Sequence, residues 1–95
     1  MLAEAREEVS EGEIYYEGVR RGLGSDFVIA VRATVREIAS NPTFSSQAVP
    51  GIYFRKLERF PYVVFYQIEA KEVVIIVVAH QRREPGYWQD RLPRP

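Results

Sequence analysis

The segment Val73-Val74-Ile75-Ile76-Val77-Val78 constrains this chain more than any other. Six consecutive β-branched residues lose side-chain freedom in a helix and pack well on a pleated surface, so the segment reads as a strand. An antiparallel strand with one wet face alternates apolar and polar residues, and this run does not. Both of its faces need a cover. Sequence alone leaves two covers open: the C-terminal segment of the same chain, or a partner laid against the sheet.

The flanking segments complete a sheet. Ile52 to Leu57 alternates in polarity, and Pro61 to Ile68 is rich in β-branched and aromatic residues. The spacers Glu58-Arg59-Phe60 and Glu69-Ala70-Lys71-Glu72 have hairpin length. Upstream the period changes. Ala5, Val9, Tyr16, Val19 and Leu23 recur at steps near three and four, which predicts an amphipathic helix between Glu4 and Arg21. Gly12 weakens it by roughly 1 kcal/mol relative to Ala. Gly22 and Gly24 offer left-handed positions where a helix stops. Ser25 reads as the cap of a second helix with Asp26 in its first turn. Phe27, Val31, Val35 and Ile38 line one face of that helix, Val28 and Ile29 widen it, and Asn41-Pro42 ends it. Thr43 to Gly51 reads as a loop.

The fold class is therefore α+β: an N-terminal helical hairpin packed on a three-stranded antiparallel β-meander. A chain of 95 residues holds one core, so residues 1–95 are expected to form one domain. A domain this small buries about two-thirds of its unfolded surface, and a partner can supply much of its stability.

Composition narrows the chemistry. The absence of cysteine excludes disulfides, thiolate catalysis and cysteine-based zinc sites. No apolar run reaches the roughly 18 residues of a membrane span, and Met1 to Ser10 is acidic and helical, unlike a signal sequence, which predicts a cytoplasmic protein. The net charge of +0 conceals an asymmetry: residues 1–50 hold 5 Lys+Arg against 8 Asp+Glu, and residues 51–95 hold 8 against 5. A basic second half suits an anionic target, although scattered solvated charges give the same count. The tail Arg91 to Pro95 is expected to fray.

Three blocks carry a resemblance. Tyr15-Tyr16-Glu17, with Gly22-Leu23-Gly24 and Phe27 after it, resembles the RelE/ParE superfamily pattern of a double tyrosine ending the first helix and Leu-Gly preceding the second. The stretch from Arg55 to Tyr66 resembles that family's Arg-hydrophobic-Phe-Pro-Tyr strand pair. Ala79 to Trp88 is similar to the His-x-x-Arg-x-Pro-x-Tyr-Trp ending of ParE-like members. The resemblance implies a growth-inhibiting toxin of a type II toxin-antitoxin system, in the plasmid stabilisation group, neutralised by a cognate antitoxin. It implies ParE-like inhibition of DNA gyrase, which the C-terminal wording favours. RelE-like cleavage of ribosome-bound mRNA is the alternative, and an inactive orphan that only binds a partner is a third reading. Members of the family open with a short strand. Here the chain opens in helix at Leu2-Ala3-Glu4-Ala5, so that strand is expected to be missing, leaving a sheet edge or part of the core to be met by an antitoxin, by a second copy in a homodimer, or by nothing in a degenerate protein. An antitoxin helix is expected across apolar surface, and operator DNA is expected to be reached only through the antitoxin.

An mRNA endonuclease needs a base, an acid and cations at the phosphate. The residue types available for those roles are His80, Arg83 and Tyr87, with Arg55, Lys56, Arg59 and Arg82 as further cations, and they are catalytic candidates only if the chain is such an endonuclease. A gyrase poison needs contacts only, and the candidate target-binding set is Arg55, Lys56, Arg59, Arg82, Arg83, Trp88 and Arg91. Each candidate also has a purely structural reading. His80 is the one histidine and sits at a strand end, where it can serve as a hydrogen-bonded strut. Arg82 and Arg83 can pair with Glu84. Tyr87 and Trp88 can stack on a base or pin the C-terminal segment to the sheet. Tyr62 and Tyr66, four residues apart on a strand, share a face and read as packing, as does at least one of Tyr15 and Tyr16. Gly22-Leu23-Gly24 follows a helix and is too short for a nucleotide fingerprint. No metal cluster or cofactor motif is present in the sequence.

Overall fold

The helical hairpin forms as its spacing predicts. The computed structural model describes residues 1–92, with α1 at Ala3–Val19 and α2 at Leu23–Ser40. Phe27, Val31 and Ile38 are buried along one stripe of α2, and Asn41 ends it ahead of Pro42. Thr34 lies in the same stripe and donates its hydroxyl to the Ala30 carbonyl at 2.9 Å, which satisfies the one buried polar side chain there. Ile29 and Val19 fall outside the buried stripe, each 60% exposed.

The start of α2 differs from expectation. Ser25 does not cap it; the helix begins earlier, at Leu23, behind Gly22 in the left-handed region at φ 89°. Its first N–H groups are met by α1 instead. The Glu17 carboxylate accepts from Gly22 at 3.0 Å and from Gly24 at 3.1 Å, placing negative charge at the positive end of the helix dipole. Gly24 is thus inside α2 rather than at a helix stop. A Cβ there would stand 2.6 Å from the Glu13 carbonyl oxygen, so glycine lets the two helices approach. Gly12 has the same role. Its Cβ would stand 2.6 Å from the Phe27 ring, and the helix propensity it forfeits is offset by a Phe27 that is 0% exposed.

The sheet has four strands rather than three: β1 Ser46–Val49, β2 Ile52–Lys56, β3 Tyr62–Glu69 and β4 Glu72–His80, antiparallel in the order β1-β2-β3-β4. The additional strand lies within the segment read as a loop. Ser46-Gln47-Ala48-Val49 is exposed at every position, so no burial pattern marks it. It forms because Gly51 turns at φ 86° and donates its N–H to Gln47 Oε1 at 2.7 Å. Ala70 and Lys71 supply the pair of positive φ angles that a tight β3–β4 turn requires.

The apolar run of β4 is explained by a bulge. Phe65 pairs with Val77 and Tyr66 with Ile75, leaving Ile76 as the extra residue. Ile75 and Val78 face the helices, joining Phe27, Ile38, Val64 and Tyr66. Ile76, Val77 and Ala79 face the other way, joining Ile52 and Trp88. The chain covers its own second face with the strap formed by residues 81–92, which includes a short 3-10 turn at Gln89–Arg91. Arg91 and Leu92 are held in this strap and are not frayed; the rest of the tail read as frayed lies outside the described residues. Among the described residues no strand precedes α1. Leu2 is extended and donates its N–H to the Ile75 carbonyl at 2.9 Å, a trace of a fifth strand on the β4 edge.

Candidate functional site

Strand register gathers most of the candidate cations at one end of the sheet. Lys56 lies opposite Val63, Val63 opposite Ala79, and Tyr62 opposite His80, so β2 and β4 finish at the same end of the sheet, on either side of the start of β3. Gln81 donates its N–H to the Pro61 carbonyl at 2.8 Å, tying the start of the strap to the β2–β3 loop. Lys56, Arg59, Arg82 and Arg83 are all exposed there. Arg59 makes a long contact to Asp26 at 3.8 Å, an exposed pair of little energetic weight. Among the described residues, Glu84 forms no ion pair with Arg82 or Arg83. Arg55 points the other way, to Glu37 on α2 at 3.3 Å.

His80 is a strut. Its Nδ1 accepts the Arg82 backbone N–H at 3.0 Å, which leaves the proton of the neutral ring on Nε2. The ring stands edge-on to Tyr62, with centroids 5.4 Å apart, and among the described residues its hydrogen bond is the one to Arg82. Tyr87 is more firmly committed. Its hydroxyl donates to the Glu8 carboxylate. Burial, then the bond to Glu8 and its charge, push the phenol from its ordinary value near 10 up to about 12, against the opposing pull of Arg91 and Arg83. The Arg83 guanidinium lies 4.1 Å from the centre of the Tyr87 ring, a cation–π contact.

Glu8 holds this corner together. One carboxylate accepts from the Val78 N–H at 3.1 Å, from Arg91 at 2.8 Å and 3.2 Å, and from Tyr87. Arg91 also donates to the Ile76 carbonyl at 3.1 Å. These bonds occupy polar groups on the free edge of β4, where an unpaired strand would otherwise invite another chain. Arg91 is consequently 15% exposed, with its charge answered by Glu8. Trp88 is 6% exposed and packs on Phe65, with ring centroids 5.1 Å apart. Of the expected target-binding residues, these two are engaged inside the fold.

Two openings flank the corner. A groove of about 260 Å³ brings His80, Arg83 and Tyr87 together with Tyr15, Tyr62 and Glu11. A groove of about 400 Å³ opens over the outer face, lined by Val49, Phe65, Pro85 and Trp88 among others. Among the described residues no three His, Cys, Asp or Glu side chains are placed to hold a metal ion. Glu8 escaped the sequence reading because its partners lie 70 to 83 residues away. One signal was available: Glu8 sits three residues after Ala5 and four before Gly12, both buried, so it rides on the inward stripe of α1.

No curated protein and no solved structure matches the chain. A family model does: the model described as "ParE toxin of type II toxin-antitoxin system, parDE" matches residues 3–85, which span both helices, all four strands and the His80–Pro85 corner. No described helix is long and apolar enough to cross a membrane. With a match of that extent over the two helices and the sheet, the chain belongs to the ParE toxin family of type II toxin-antitoxin systems, a membership that implies an antitoxin partner.

Proposed function

We propose that this toxin inhibits DNA gyrase by contact, through the basic end of its sheet, and is silenced when its antitoxin binds. The observation that carries the reading is the engagement of Tyr87 with Glu8. A phenol pushed up to about 12 is no base near neutral pH, and its proton is already directed at a carboxylate. His80 is bonded to a backbone N–H, and among the described residues no carboxylate is bonded to it to orient it as a base. Contact inhibition needs no base. Lys56, Arg59, Arg82 and Arg83 supply exposed positive charge for it. On this reading growth inhibition takes place in the cytoplasm, plasmid stabilisation follows from it, and operator DNA is reached only through the antitoxin.

The test is purified full-length chain assayed for inhibition of gyrase supercoiling and, in parallel, for cleavage of ribosome-bound mRNA. Inhibition without cleavage is expected, weakened by Arg82→Ala and Arg83→Ala. The grouping of His80, Arg83 and Tyr87 around one groove favours the RelE-like alternative. Cleavage that disappears in His80→Ala or Arg83→Ala would establish it and sink the gyrase reading. Unchanged growth on expression without an antitoxin would leave the inactive orphan.

A further inference from the structure

Arg83 is the exposed cation whose position the fold controls most indirectly. Its backbone N–H donates to the His80 carbonyl at 2.9 Å, but among the described residues no carboxylate pairs with its guanidinium. The side chain rests on the Tyr87 ring. That ring is held by its own hydroxyl, which donates to Glu8. Glu8 belongs to α1, and Arg91, the other cation against that ring, is bonded to the same carboxylate, so the polar path from Arg83 to α1 runs through Tyr87 and Arg91 and ends on Glu8, beside the apolar packing of the ring on the outer core. We infer that Glu8 is a positioning residue for the target-facing corner, acting on Arg83 through Tyr87. The inference rests on the contact reading proposed above and adds to it a residue that makes no contact with the target.

A carboxylate is needed here, and an amide will not serve. Glu8 accepts from a backbone N–H, two guanidinium N–H groups and a phenol, and it offers only acceptors. Glutamine would turn its NH2 group toward Arg91 in either amide orientation, since each Glu8 oxygen faces a guanidinium N–H and a guanidinium has no acceptor. Glu8→Gln therefore keeps the shape of the side chain while disrupting the clasp. Freed of it, the Tyr87 ring no longer fixes Arg83, and a long side chain that must be ordered on binding costs affinity.

The experiment is a double-mutant cycle on the full chain, with Glu8→Gln, Arg83→Ala and the pair together, read as inhibition of gyrase supercoiling. Glu8→Gln is expected to weaken inhibition about tenfold, the size set by one charge-assisted bond. Arg83→Ala is expected to weaken it at least as much, and the double variant no further than Arg83→Ala alone. An alkaline absorbance titration supplies the second readout. A late component from the Tyr87 phenol, pushed up to about 12, is expected in the wild type beside the raised Tyr16 and Tyr62; it is lost in Tyr87→Phe and shifted toward the ordinary range in Glu8→Gln. If Glu8→Gln does not fold, Tyr87→Phe takes its place in the cycle, with the same non-additivity expected. Losses that multiply in the double variant overturn the inference, as does unchanged inhibition in Glu8→Gln or in Arg83→Ala. A wild type that leaves supercoiling untouched but cleaves ribosome-bound mRNA overturns the gyrase reading alone, and the cycle is then read on cleavage by the same rule. A chain with neither activity overturns both.

Discussion

The two faces of the sheet are covered by different means. On one, two helices of 17 and 18 residues lay Phe27, Val31 and Ile38 against Val64, Tyr66 and Val78. On the other, a strap of turns with a short 3-10 segment lays Trp88 against Phe65 and the β4 residues Ile76, Val77 and Ala79. The helical face is built from local hydrogen bonds and many apolar contacts, so it is expected to open only with the whole fold. The strap depends on one indole and on the Glu8 clasp, so it is expected to open first. Placing Arg82 and Arg83 in the more weakly covered strap couples their geometry to a small number of bonds, whereas Arg55 and Arg59 contact α2.

Substitutions can break or sharpen that contrast. Phe27→Ala empties the centre of the helical face and is expected to cost about 3–5 kcal/mol, seen as a lower denaturant midpoint for all probes together. A midpoint left in place would remove the helices from their assigned role. Trp88→Ala is expected to cost about 3 kcal/mol, with hydrogen exchange rising in residues 81–92 before α1 and α2. Uniform exchange across the chain would merge the two faces into one cooperative unit. Gly12→Ala gains helix propensity but drives a methyl group into the Phe27 ring, for a net loss of about 1–2 kcal/mol by thermal melting. A gain would mean that the ring moves aside at little cost.

The smallest effect concerns pH. The Tyr87 phenol is raised in the folded state, from near 10 up to about 12, so its contribution is complete below pH 10 and is lost as pH climbs through 12. Strap opening, read by the fluorescence of Trp88, should rise across that window in the wild type. In Glu8→Gln that component should be smaller, since burial still raises the phenol, and its persistence at full size would place the alkaline transition on another group.

Much of this was legible in the chain. The stripe of Phe27, Val31 and Ile38 and the two hairpin spacers at 58–60 and 69–72 were readable because each depends on neighbours a few residues away. β1 was not, since an edge strand exposed at all four positions carries no alternation. The α2 cap was misassigned to Ser25 because local spacing is blind to Glu17, a carboxylate delivered across a helix–helix contact. The candidate site divided in the same way. The types and order of His80, Arg83 and Tyr87 were in the sequence, whereas the engagement of Tyr87 and Arg91 by Glu8 required the fold to bring α1 to the β4 edge.

By itself, then, the sequence determined that β4 must be covered on both faces, since six β-branched residues in a row leave no side for water. Only the tertiary structure decided what does the covering. The bulge at Ile76 divides that run between two cores, and Trp88 closes the second one from within the chain. Periodicity reports which residues avoid water. Their partners are set by contacts across 70 or more residues, such as those of Glu8, which no local pattern encodes.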